Sequence, residues 1–205
     1  MVTIVYVSLL VIMFILDYLV FPPKGVKRWD WQYLVFGKRR AAGESFEYIR
    51  KQATPFNQTL CIKTSAVRKG QLWRLASSAF LHGGLFHLAS NCAALLSAGA
   101  LVERQLGWWK YIVVLLSGAV MANLWTMRVF SNEFGFGASG SVYGAIGILT
   151  AMLLLNPQLI GEFSWPWRVY LLLYVLSNAA PDKWSLVEHG GAFVAGIGLA
   201  FLFAI

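Results

Sequence analysis

The sequence predicts an all-α membrane protein, a bundle of six spanning helices forming one domain over residues 1–205. Two observations predict it. Apolar residues make up 58% of the chain and charged residues only 13%, about half the charged share of an ordinary soluble domain. The apolar residues also fall into six long runs, each close to the roughly 20 residues that a helix needs to cross lipid. A water-soluble globular fold is excluded. Cys61 and Cys92 are too few for a disulfide scaffold and lack metal-type spacing.

The first run, residues 2–21, has neither the basic start nor the small-residue cleavage site of a signal peptide. It reads as a retained span ended by Pro22-Pro23, because proline cannot continue the helical ladder. The loop at 22–80 carries nearly all the charge imbalance. Twelve basic and three acidic residues lie between Pro22 and Arg74, against a net charge of +8 for the whole chain. Concentrated in one loop beside the spans, this charge reads as attraction to anionic headgroups; no nucleic-acid partner is expected. Trp29, Trp31, Tyr33 and Phe36 would give short amphipathic helices there a lipid-facing side.

Helices two to six occupy 81–205, with runs at 81–102, 109–130, 137–155, 165–180 and 186–205. Asn156-Pro157 ends the fourth and Pro181-Asp182 the fifth. Trp108, Trp109, Trp165 and Trp167 fit interfacial anchors. Because consecutive spans alternate in direction, the second, fourth and sixth begin on one membrane face. Their starts hold His82, His87 and Asn91, then Ser139, then His189, which includes every histidine in the chain.

Polar groups in a bilayer are costly and mark candidate sites. Ser139, in Gly137-Ala138-Ser139-Gly140, stands where a loop becomes a helix and backbone N–H groups lack acceptors. A serine hydroxyl attacks a carbonyl when a base takes its proton, and His189 is the candidate base. Asp182 lies in a loop and Glu188 projects about 100° away from His189 around the helix, so a Ser–His dyad is expected rather than a triad. His87 and Asn91, four apart on one helical face, supply donors for a developing oxyanion. The glycines also have a packing reading. Gly140, Gly144 and Gly147 form a small-residue face on the fourth helix, and Gly191, Ala195 and Gly198 one on the sixth, so these two helices are expected to pack closely. A metal site is disfavoured, since His82 and His87 are five apart rather than four. No cofactor is expected.

These residues resemble the rhomboid family of intramembrane serine proteases. The resemblance runs from Trp73-Arg74 through FLHGGLFHLASN, with His82, His87 and Asn91, and GALVERQLG, with Gly99, Glu103 and Gly107. It continues in GASGSVYG, with Ser139 as nucleophile, and in His189 followed by Gly196. It implies a six-helix bundle with a Ser139–His189 dyad and an oxyanion hole of His87, Asn91 and the Ser139 amide. Gly137 and Gly140 would support the site, and Tyr143 would pack on the histidine. It also implies single-span membrane proteins as substrates, cut near the membrane surface. Two departures stand out: Ala192 where the family usually has glycine, and the length and basic charge of the loop at 22–80. A catalytically inactive relative that binds membrane clients is the alternative. A small transporter would need charges along its spans, and these offer mainly Asp17 and Arg128, near their ends. Glu103-Arg104 is expected to cap a turn on the side away from the site. Arg168, Glu162 and Glu133 are expected to be solvated, and Asn57-Gln58-Thr59 is a glycosylation sequon.

Overall fold

The computed structural model describes residues 1–21, 34–35, 54–130, 135–179 and 183–204. Pro22-Pro23, the aromatic set Trp29, Trp31, Tyr33 and Phe36, Glu133 and Pro181-Asp182 lie outside them, as do most of the basic residues of the long loop.

Helix α1 covers Val2–Ile15 and continues as one π-helical segment, Leu16–Val20. Three short helices follow in the loop: α2 (Pro55–Leu60), α3 (Thr64–Val67) and α4 (Arg74–Ser77). Thr54 starts α2 by accepting the Asn57 N–H at 3.1 Å, with proline at the first helical position. The same hydroxyl donates to Asp17, tying the end of α1 to the loop. Arg74 is 7% exposed and donates to the carbonyls of Gln58 and Cys61 at 3.1 and 2.9 Å, capping the C-terminal end of α2. The sequon lies in α2, and the side-chain oxygen of Asn57 is buried there.

The remaining helices are α5 (Leu85–Leu106), α6 (Trp108–Val129), α7 (Ser139–Leu155), α8 (Trp165–Ala179) and α9 (Lys183–Leu202). A helix therefore lies along each of the six apolar runs, and the described residues contain no β-strand, only an isolated bridge between Ile62 and Gly135. Three stretches are long and apolar enough to cross a membrane: Leu85–Leu106, Trp108–Val129 and Ser185–Leu202. Val2–Tyr18 and Ser139–Leu155 are apolar but shorter. Large apolar side chains such as Phe86, Leu154, Val194 and Phe201 face outward, as they do when the surrounding medium is hydrocarbon. Trp108, Trp109, Trp165 and Trp167 are exposed at the starts of α6 and α8.

Helix α7 is the centre of the bundle, with residues of every face buried, as expected of a helix that is apolar all round. Its glycines are used differently from the sequence expectation. A Cβ on Gly140 would meet Ala122 at 2.8 Å, and one on Gly144 would meet the Cα of Gly118 at 2.9 Å, so this face packs on α6. Gly147 is the residue that faces α9, against the backbone of Phe193. On α9 the close approach is made by Gly196, against Gly144 and Ile148, whereas Gly191 meets Trp125 of α6 and Gly198 faces open space. The two helices pack closely, through Phe193 and Gly196, whereas Gly191 and Gly198 face elsewhere. Periodicity shows that a small-residue stripe exists and leaves open which neighbour it meets.

Glu103 does more than close a local turn. Its carboxylate accepts the N–H groups of Val2 at 2.6 Å and Thr3 at 2.8 Å, and the Thr3 hydroxyl at 2.7 Å. It thus satisfies the free donors at the start of α1, where negative charge is favoured. Arg168, expected to be solvated, donates to the carbonyls of Phe163 and Ile160 and closes the turn between α7 and α8. Glu162 is exposed and pairs with Arg104 at 2.8 Å.

Candidate active site

Ser139 is the first residue of α7 and is 7% exposed. The amides of that first turn have no acceptor within the helix. The strand of chain leading to it is held from below. Gly135 pairs with Ile62, and the Gly137 N–H donates to the Ser78 carbonyl at 3.0 Å. Ser78 is in turn fixed by Asn123 of α6, whose amide nitrogen reaches the Ser78 hydroxyl at 2.9 Å and the Leu75 carbonyl at 2.8 Å.

Gly137 has φ of +142°, which side chains rarely adopt. Space forbids a side chain as well. A Cβ there would lie 2.9 Å from Cε1 and 3.1 Å from Nε2 of His87, and 3.6 Å from the Ser139 hydroxyl oxygen. The His87 ring and the Ser139 hydroxyl therefore flank one small space over Gly137. Nδ1 of His87 accepts the Gly83 N–H at 3.4 Å. A neutral imidazole that accepts at Nδ1 carries its proton on Nε2, the atom on the Gly137 side.

One turn along α5, Asn91 is 1% exposed. Its Oδ1 accepts the Tyr174 hydroxyl at 2.7 Å, and its Nδ2 has no partner among the described residues. Tyr174 of α8 lies 5.8 Å from Tyr143, centroid to centroid. Tyr143, one turn beyond Ser139 on α7, stacks on His189 at 4.2 Å with the planes 7° apart. His189 is 7% exposed. Contacts thus join one connected set: Tyr143 of α7 meets both His189 of α9 and Tyr174 of α8, Tyr174 meets Asn91 of α5, and His87, one turn before Asn91, flanks Gly137 together with Ser139.

His82 sits apart from this arrangement. It precedes α5 instead of lying on it, is 1% exposed, and packs edge-on against His87 with centroids 5.1 Å apart. Among the described residues, no group of three or more His, Cys, Asp or Glu side chains is placed to hold a metal. Sequence reasoning missed Tyr174, Gly83 and the Ser78–Asn123 support. Tyr174 had a signal, since a phenol tip inside the aliphatic run 171–176 needs a hydrogen-bond partner.

The Rhomboid domain model matches residues 69–205, a stretch that includes every residue of this connected set. The chain is 34% identical over 97 residues to rhomboid protease GluP of Bacillus subtilis, covering 47% of this chain and 19% of that protein. It is 28% identical over 152 residues to RHOMBOID-like protein 5 of Arabidopsis thaliana, covering 66% and 45%. It is 27% identical over 146 residues to Rhomboid-like protease 1 of Toxoplasma gondii, covering 67% and 49%. The match spans less than half the length of each of these three relatives.

Proposed function

The chain belongs to the rhomboid family and is an integral membrane protein; from that premise we propose that it is a serine endopeptidase working within a six-span bundle. Ser139 is the nucleophile and His189 the base. The observation that carries this reading is that the buried Ser139 hydroxyl of α7 and the His87 ring of α5 flank one small space over Gly137, with the buried, unpartnered Asn91 Nδ2 one turn along α5 from His87. That is the equipment of acyl transfer.

In the proposed reaction His189 takes the Ser139 proton as the oxygen attacks the scissile carbonyl. The carbonyl oxygen becomes an oxyanion facing His87, Asn91 and the Ser139 amide. Collapse of this intermediate breaks the C–N bond, and the imidazolium returns its proton to the departing amine. A water molecule then repeats the cycle on the acyl-enzyme and regenerates the serine. The face-to-face contact with Tyr143 holds the His189 ring in one plane, which a base serving a single hydroxyl requires.

Helix α7 has 17 residues, or about 26 Å at 1.5 Å per residue, against a hydrocarbon layer of about 30 Å. A helix that short begins below one surface, which favours a site sunk beneath the headgroups. Single-span membrane proteins are the proposed substrates, because only a helix already in the bilayer can reach such a site. The test is cleavage of a single-span reporter by purified protein in detergent or liposomes. Ser139→Ala and His189→Ala are each expected to abolish it, and a serine-directed phosphonate is expected to label the parent and not Ser139→Ala. Undiminished cutting by either variant refutes the assignment, and an inert, unlabelled parent favours the client-binding alternative.

A further inference from the structure

Tyr174 is 5% exposed, and its hydroxyl donates at 2.7 Å to Oδ1 of Asn91, itself 1% exposed. A carboxamide has two ends of almost equal shape and opposite hydrogen-bonding character. Which end faces a pocket is decided by the partners of the other. With Oδ1 engaged by Tyr174, the N–H donors of Nδ2 are turned elsewhere, and they have no acceptor among the described residues. Were the amide reversed, an acceptor oxygen would face the developing negative charge.

We propose that Tyr174 is a positioning residue that holds the Asn91 amide with its donors toward the oxyanion. The inference rests on the protease reading and adds to it a fourth helix, α8, which contributes no group to the reacting atoms. The physical cost of losing the hydroxyl falls on the transition state. Turning Nδ2 toward an oxyanion leaves Oδ1 buried and unsatisfied unless a donor meets it. In the ground state, without the charge, the amide is free to take either orientation. The loss should therefore appear in kcat and not in KM.

A matched control exists one turn earlier. Tyr170 of α8 also donates to α5, at 2.6 Å, but to the backbone carbonyl of Ser90. Tyr170→Phe removes a bond between the same two helices without touching the Asn91 amide.

The experiment measures kcat and KM for reporter cleavage by the full chain in four variants: Tyr174→Phe, Tyr170→Phe, Asn91→Ala and the Tyr174→Phe/Asn91→Ala double. Tyr174→Phe is expected to lower kcat about 10- to 30-fold with KM within about twofold, and Tyr170→Phe to leave kcat within about twofold. In the Asn91→Ala background, Tyr174→Phe is expected to have no further effect, because the group through which it acts is gone. A 4-aminophenylalanine at position 174, which keeps a donor at the ring tip, is expected to recover most of kcat, and it remains informative if the phenylalanine variant fails to fold. Equal losses for Tyr174→Phe and Tyr170→Phe, multiplying effects in the double variant, or no recovery with the amino analogue would overturn the positioning role while leaving the protease reading intact. An inactive parent would instead overturn the protease reading and this inference with it.

Discussion

Gly147 lies eight residues beyond Ser139, about 12 Å along the helix, yet its replacement by alanine should disable the site. The added Cβ would stand 3.0 Å from the carbonyl carbon and 3.1 Å from the Cα of Phe193, and closer still to the carbonyl oxygen. Ordinary carbon contacts are about 3.5–4.0 Å. The obstacle is backbone, which has no rotamer to yield, and the carbonyl oxygen is the nearest part of it, so α7 and α9 must part by about 1 Å. One helix carries Ser139 and the other His189, so the displacement is applied directly between the proposed nucleophile and the proposed base. A misplacement of about 1 Å costs on the order of 100-fold in rate, and overpacking costs about 1–3 kcal/mol of stability. Gly147→Ala is therefore expected to lower the initial rate of reporter cleavage about 100-fold and to lower Tm in detergent. Gly198→Ala, on the same helix α9 but facing open space, should cost nothing and gains up to about 1 kcal/mol of helix propensity. Parental rate and Tm for Gly147→Ala, or equal damage from Gly198→Ala, would refute the reasoning.

Glu103→Gln removes the charge that accepts the Val2 and Thr3 amides; it is expected to cost about 1–3 kcal/mol, seen as a lower Tm, while the rate per folded molecule stays near the parent's. Burial pushes the Cys61 thiol up to about 11, against about 8.5 for a free thiol. The folded state thus holds its proton where the unfolded state gives it up, and stability declines as pH rises past about 8.5. Parent Tm should consequently fall more between pH 8 and 10 than that of Cys61→Ala, and Cys61 alkylation should keep accelerating above pH 9.

Much of this was legible in the chain. Hydropathy alone located the long helices, because lipid selects for apolar length and Asn156-Pro157 marks an end wherever it occurs. The candidate site residues were legible because polar groups are rare in such segments and therefore conspicuous. Partnerships were harder to read. Nothing in the spacing of Gly140, Gly144 and Gly147 says that the first meets α6, the third meets α9 and the second lies against both. Nor does Glu103 reveal that it caps a helix a hundred residues earlier in the chain. Tyr174 and Asn91 are 83 residues apart, and each read alone as an ordinary polar tip in a span.

The sequence by itself determined where the long apolar helices lie and which polar side chains stand near their starts with chemistry suited to a nucleophile, a base and two donors. Those are properties of composition and order along one dimension. Only the tertiary structure decided the rotation of each helix about its axis, and with it that His87 and the Ser139 hydroxyl share the space over Gly137, that Tyr143 lies flat on His189, and that Tyr174 meets Asn91. The physical reason is that rotation is set by which small residues let which backbones approach, a choice made jointly by α6, α7 and α9 and written in no one of them.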